Sequence, residues 1–281
     1  MAQQPEKKFW LYGVLSHIGT DPLTSQSSDS HLGPSAIRAA YQSLFEGYNI
    51  PCAFEDQGDV KTGEEQTVEE LLEEIEKQAS KALENDKKLI FLGGSHTFTL
   101  GSLRAVKKHC GDFSLLYFDA HPDLMPEERI YYGSTLYHAA EEKVLNPERI
   151  GFVGIRQIEE EEQAFIEQHH PLVISPLEIT RLGLSASLNK LKDVLPPPYY
   201  ISIDLDGIDP SLAPGVTTPF PLGLYPREVL ALALAFCNEH LIGFEIVEHS
   251  PKRDVQNSTV FLAATLLQEL SHGCITSKDN S

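Results

Sequence analysis

The stretch Phe113-Ser114-Leu115-Leu116-Tyr117-Phe118-Asp119-Ala120-His121-Pro122-Asp123 decides the fold class. Its first half is a short apolar run of strand length. Its second half carries Asp119, His121 and Asp123 at alternate positions. Alternate side chains of an extended segment point the same way, so a strand end here aims three metal-ligating groups at one place. A second stretch repeats the plan: Tyr199–Ser202 leads into Ile203-Asp204-Leu205-Asp206-Gly207. A third, Leu89–Leu92, runs into Gly93-Gly94-Ser95-His96. Taken alone, one D-x-H-x-D segment reads equally well as a solvated turn with a capping Asp. Two such clusters, both after buried-type strands, resist that reading, because so many unpaired carboxylates at one sheet edge would repel. A bound cation resolves the repulsion. Four carboxylates and two imidazoles suit hard or borderline divalent metals.

Outward from these stretches, short Val/Ile/Phe/Tyr-rich runs alternate with longer amphipathic segments. Phe9–Leu15, Leu89–Leu92, Phe113–Phe118, Ile150–Gly154, Leu172–Ser175, Tyr199–Ile203 and Leu241–Val247 read as strands. Val68–Leu83, Leu100–His109, Glu160–Gln168, Leu188–Leu195, Pro226–Cys237 and Ser258–Leu270 read as helices, with Pro226 in a first turn and Ser258 as a cap. Such alternation predicts one three-layer α/β/α domain over residues 1–281, built on a mainly parallel sheet, with 276–281 a loose tail. In such folds, active sites collect beyond the carboxyl ends of the strands. The Gly93–His96, Asp119–Asp123, Asp204–Asp206 and Glu245–Glu248 segments all fall there, and Ser25–Ser30 reads as a surface loop near them.

The chain has 281 residues and a formal charge of −19. That charge argues against a nucleic-acid backbone or an anionic membrane surface as partner, and it is compatible with a cationic substrate. Acidic helix-like stretches such as Glu69–Glu76 supply much of it, where a solvated face is the default. Cys52, Cys110, Cys237 and Cys274 show no C-x-x-C spacing, which suggests reduced thiols in an intracellular protein. With neither a signal-like N-terminus nor an apolar run of membrane-spanning length, the expected compartment is the cytoplasm.

The motifs together resemble the ureohydrolase superfamily of arginases, agmatinases and formiminoglutamases, nearly end to end. Gly33-Pro34-Ser35-Ala36-Ile37-Arg38 is similar to the family's G-P-x-x-I-R segment. Gly93–His96, Asp119–Asp123, Asp204–Pro210 with Ala213-Pro214-Gly215, and Glu248 with Pro251 and Asp254 follow in the family's order. The resemblance implies two Mn²⁺ per subunit. One would be held by His96, Asp119, Asp123 and Asp204, the other by His121, Asp119, Asp204 and Asp206. Two cations about 3.5–4 Å apart make hydroxide available near neutral pH. That hydroxide would attack the trigonal carbon of a small cationic guanidino or formimino substrate, with Asp123 among the catalytic residues. Glu248 would grip the cationic end by charge-assisted hydrogen bonds, and Thr217 and Met125 would line the substrate site. Relatives commonly assemble as homo-oligomers, trimers or hexamers, so one is expected here.

Departures from the family pattern bear on substrate and rate. Aligning back from Gly154-Ile155-Arg156 puts Tyr132-Gly133-Ser134-Thr135-Leu136 on the family's H-G-T-x-F segment. Tyr132 thus replaces the proposed proton-shuttling histidine, and a phenol near pKa 10 is a poorer shuttle at neutral pH. His138, His31, His17 and His249 are candidate substitutes, with helical packing the preferred reading of His138. Met125 stands where arginases carry an Asn for the amino-acid end of the substrate, which points away from arginine itself. Ser95 replaces a common Asp, and Glu245 stands at the Asp of D-x-x-E, where pairing with a surface Lys is the plain alternative. Gly215-Val216-Thr217-Thr218-Pro219 resembles formiminoglutamases slightly more, whereas Glu248-His249-Ser250-Pro251 looks agmatinase-like. The leading expectation is therefore hydrolysis of an agmatine-like guanidine to urea and an amine. A formiminoglutamase or other guanidino-acid hydrolase is the first alternative, with Arg129 or Arg227 meeting a carboxylate. A catalytically weakened, metal-binding relative with a regulatory role is the second. The six-ligand set disfavours a mononuclear zinc deacetylase.

Overall fold

The protein is described by a computed structural model covering residues 7–20, 28–45, 50, 52–61, 63 and 66–276. In chain order the strands are β1 Phe9–Gly13, β2 Phe54–Asp59, β3 Lys88–Leu92, β4 Ser114–Phe118, β5 Ile150–Val153, β6 Leu172–Ile174, β7 Tyr199–Asp204 and β8 Leu241–Val247. The helices are α1 Gly33–Leu44, α2 Val68–Glu84, α3 Thr99–Cys110, α4 Thr135–Glu141, α5 Glu160–His169, α6 Pro176–Leu182, α7 Leu184–Val194, α8 Pro226–Leu234 and α9 Ser258–Thr276. The strands form one sheet in the order β2-β1-β3-β8-β7-β4-β5-β6, every neighbouring pair parallel. Parallel strands need crossovers, and the amphipathic helices supply them on both faces.

All residues of β4 and β8 are buried, as continuous apolar runs in the middle of a parallel sheet should be. Their pleat divides the core. Leu116, Phe118, Ile201, Ile203, Phe244 and Ile246 pack on one face. Phe91, Leu115, Tyr117 and Tyr200 pack on the other. α2 begins with a reciprocal capping box, Thr67 accepting from the Glu70 amide while Glu70 accepts from the Thr67 amide.

Several expectations need correction. β2, Phe-Glu-Asp-Gln-Gly-Asp, lies outside the expected strands, because it is a polar strand paired among the described residues only with β1 and has no apolar alternation to betray it. Arg38 of α1 pins it through Asp56 at 2.8 Å and Asp59 at 2.5 Å. α1, α4 and α6 also lie outside the expected helices: α4 and α6 are only two turns long, and α1 carries the Gly33–Arg38 motif on its first turns. The α9 amides of Thr259 and Val260 are capped by Asp254, not Ser258. α9 itself runs through Thr276, where the loose tail was expected to start. The rest of that tail, 277–281, lies outside the described residues, as does 25–27 of the expected site loop.

Candidate metal centre

Four neighbouring strands, β3, β8, β7 and β4, carry the site on their carboxyl ends. Beyond β3 the chain must pass tightly under the N-terminal segment: a Cβ on Gly94 would lie 1.9 Å from the Ser16 carbonyl oxygen. The turn then delivers His96 as the first residue of a short 3-10 helix. Beyond β4, Asp119 Oδ1 accepts from the His121 amide at 2.7 Å, and Asp123 adopts φ +54°, a left-handed turn that directs its carboxylate back. Beyond β7 the same local device recurs, Asp204 Oδ1 accepting from the Asp206 amide at 2.7 Å. Gly207 lets the two clusters meet, since its Cβ would sit 2.9 Å from the Asp119 nitrogen. Beyond β8, Glu248 at φ +62° turns inward and accepts from the His96 amide at 2.7 Å.

The six expected ligands converge. His96, Asp119 and Asp123 form one group of mutually close donor atoms, and Asp119, His121 and Asp206 a second, so Asp119 is shared. Asp204 joins the first group through Oδ2, 3.2 Å from His96 Nδ1. Asp119 Oδ2 is 3.1 Å from the same nitrogen, and His121 Nδ1 is 3.2 Å from Asp206 Oδ2.

Without a cation the charges are frustrated. Burial, then the neighbouring carboxylates, push Asp123 and Asp204 well above the usual carboxylate range. Burial opposes charge on both imidazoles, but Asp119 and Asp204 carry His96 upward and Asp206 and Asp119 carry His121 upward. Asp119 is drawn below its ordinary range by His121 and His96 despite its burial. The cluster of carboxylates thus favours positive charge at its centre, the charge a cation would supply. Asp119 Oδ2 is buried and, beyond its 3.1 Å approach to His96 Nδ1, has no hydrogen-bond partner among the described residues. A buried carboxylate oxygen so poorly satisfied, amid O and N donors, fits a divalent cation, and the donor set fits a pair of them.

Partners around the donors complete the arrangement, and sequence reading missed most of them. His96 Nε2 meets Ser202 Oγ at 2.8 Å, which leaves Nδ1 toward the carboxylates. Ser202 donates to Glu245 at 2.8 Å. Among the described residues Glu245 pairs with no lysine. It is fully buried and also accepts from Thr99, Ser102 and Tyr200. Ser95 makes its side-chain contact with Thr97, 3.0 Å away, so the support for His96 comes from Ser202. His121 Nε2 meets Gln157 Oε1 at 3.1 Å, and Thr218 donates to Asp206 at 2.7 Å. Ser202 could have been found as the residue two before Asp204 on the same strand face, and Gln157 from its place after Gly154-Ile155-Arg156.

A match to the arginase family covers residues 10–273. The chain belongs to the arginase family. It is 32% identical over 270 residues to an agmatinase of Blochmanniella floridana, covering 92% of this chain and 86% of that one. It is 30% identical over 262 residues to the proclavaminate amidinohydrolase of Streptomyces clavuligerus, covering 88% and 83%. Among solved structures, the agmatine ureohydrolase of Thermoplasma volcanium superposes with a TM-score of 0.84 at 30% identity, covering 98% of this chain and 93% of that one. Arginase-family proteins are binuclear metal hydrolases acting on guanidino groups, and this chain is a hydrolase of that family.

In this arginase-family chain a cavity of about 420 Å³ opens over the donors. It is lined by all six of them and by Glu248, Tyr132, Met125 and Thr217, so every expected site residue is there. Thr217 Oγ1 is buried with no hydrogen-bond partner among the described residues. Burial raises the Glu248 carboxyl to about 7, against the lowering effect of the His96 amide. Tyr131, Gln157, Glu159 and Glu162 add walls that sequence reading did not name. The alternative histidines are placed elsewhere. His17 and His31 face one another, ring centroids 5.0 Å apart, outside the lining. His249 pairs with Asp254, and His138 packs edge-on to Tyr137. Arg129 lies over the Tyr131 ring and Arg227 over Tyr225, neither in the lining.

Proposed function

We propose that this hydrolase uses two manganese ions to cleave the C–N bond of a linear, agmatine-like guanidine, releasing urea and an amine. One observation carries the reading: the cavity that holds the shared-aspartate donor cluster is walled by carboxylates and contains no Lys or Arg among its described lining residues. A cation is favoured there and a substrate carboxylate finds no counter-charge, which argues against arginine, formiminoglutamate and guanidino acids.

His96, Asp119, Asp123, Asp204, His121 and Asp206 would hold the ions. When bound, such a pair supplies a water acidic enough to act as hydroxide near neutral pH. Glu248 accepts the guanidinium N–H groups and holds the trigonal carbon over the donor cluster. Asp123 would take at its carboxylate the proton given up by the attacking water and return it to the nitrogen of the departing amine. Met125, Tyr131 and Tyr132 wall off the substrate's methylene chain.

The test is manganese-reconstituted protein assayed against arginine, agmatine, guanidinobutyrate and formiminoglutamate, with urea and formamide measured separately. Urea release fastest from agmatine is expected. Formamide release, or a preference for a substrate bearing a carboxylate, overturns the reading. Tyr132 supports a second reading, in which the chain is a weakened enzyme with a binding role. A large gain of activity in Tyr132→His would favour it, and an unchanged or lower rate would count against it.

A further inference from the structure

His96 and Asp123 reach the first donor group from different segments, yet one side chain touches both. Tyr117 lies on β4, two residues before Asp119 and on the same face of the sheet, fully buried. Its ring stacks on His96 with centroids 4.8 Å apart and planes only 3° apart. Its hydroxyl donates to Asp123 Oδ2 at 2.6 Å and lies 3.1 Å from His96 Nδ1. Phe152 packs edge-on against the same ring, 5.6 Å away at 85°. A tyrosine here would ordinarily be read as core, and burial alone supports that. A core role, however, does not require the hydroxyl to end on a carboxylate of the donor cluster. Asp123 has particular need of such a partner, because its left-handed backbone sits in a turn beyond the strand, not on it.

We propose that Tyr117 is a positioning residue of the metal centre, its phenol fixing the Asp123 carboxylate and its ring fixing His96 for the ion those two would share. The proposal rests on the two-metal reading above and adds a residue that the six-ligand set does not include. Its effect is confined to one of the two ions. The second group is supported by other partners, His121 by Gln157 and Asp206 by Thr218. Removing an outer hydrogen-bond partner of a metal ligand lowers metal affinity by about 10–100-fold.

Tyr117→Phe keeps the ring, the stack and nearly all the volume, and removes only the donor. Metal-free protein is titrated with Mn²⁺ while free Mn²⁺ is followed by its EPR signal, and melting of the metal-free forms reports the fold. The wild type is expected to take up two ions. Tyr117→Phe is expected to keep one with unchanged affinity and to hold the other about 10–100-fold more weakly. Tyr41→Phe is the control: it deletes a buried hydroxyl that donates to Gln268 at 2.6 Å, remote from the site, and leaves both affinities unchanged. In a cycle with Asp123→Asn, the double variant should bind no more weakly than Asp123→Asn alone, because Tyr117 acts through that carboxylate. Wild-type affinities in Tyr117→Phe, equal losses in Tyr41→Phe, or additive losses in the cycle overturn the role of Tyr117 alone. A wild type that takes up fewer than two ions overturns the two-metal reading as well.

Discussion

Replacing Asp204 by asparagine should change the protein's stability in opposite directions with and without metal. Asp204 is buried, and its Oδ2 lies 3.2 Å from His96 Nδ1. Its carboxyl is pushed up by burial, then by Asp206 and Asp119. A folded-state pKa above the unfolded value means that the ionised form destabilises the metal-free fold. That stability is present below the unfolded pKa and lost as pH rises through the folded one. Asn keeps the shape and removes the charge, so metal-free Asp204→Asn should melt at or above the wild type, with a wider gap at pH 8 than at pH 5. Metal reverses the order. Each site held at a hundred times its dissociation constant contributes about 2.7 kcal/mol, so two contribute about 5 kcal/mol. At roughly 2–4 °C per kcal/mol for a chain of this size, manganese should raise the wild-type melting temperature by about 10–20 °C. The variant lacks one carboxylate of the cluster and should keep less than half of that rise. Differential scanning calorimetry of both proteins, with chelator and with manganese, measures all four values. If Asp204→Asn melts several degrees lower in chelator and responds to manganese as the wild type does, Asp204 is a structural partner and not a ligand.

Glu248→Gln removes the charged acceptor for a guanidinium while leaving a hydrogen-bonding side chain, and a hydrogen bond to a charged group is worth about 1.5–3 kcal/mol. Steady-state kinetics should show kcat/KM about 10–150-fold lower, with the circular dichroism spectrum unchanged. In the metal-free protein the same variant should also abolish the loss of stability that wild type suffers as pH rises from about 4.5 through about 7, the span over which Glu248 titrates late. Gly94→Ala should cost at least about 3 kcal/mol and abolish metal uptake, because its Cβ would meet the Ser16 carbonyl oxygen at 1.9 Å and push the His96 turn away; thermal melting and metal analysis read both effects. Thr67→Ala, which breaks the α2 capping box far from the cavity, should cost about 1 kcal/mol and leave turnover per folded molecule unchanged.

The donor clusters were legible because they are local. Asp119, His121 and Asp123, and likewise Asp204 and Asp206, announce themselves by residue type at alternate positions after an apolar run. The same locality made β4, β7 and β8 readable, since a fully buried parallel strand is continuously apolar. β2 was not readable, because its stability comes from β1 and from Arg38, not from a pattern of its own. Glu245 misled for a related reason. A charged residue in sequence reads as surface, and only the register of β7 against β8, which sets Ser202 beside Glu245, shows that hydroxyls surround it.

By itself the sequence determined which side chains can bind cations, the alternation that makes an α/β sheet, and membership in a lineage of guanidino-group hydrolases. Only the tertiary structure decided that β3, β8, β7 and β4 stand side by side, so that His96, Asp119, Asp206 and Glu248 share one cavity. It also set Tyr117, Gln157 and Ser202 within hydrogen-bond reach of Asp123, His121 and His96. The physical reason is that strand order and hydrogen-bond partnership are set by packing between segments far apart in the chain, and no local pattern encodes them.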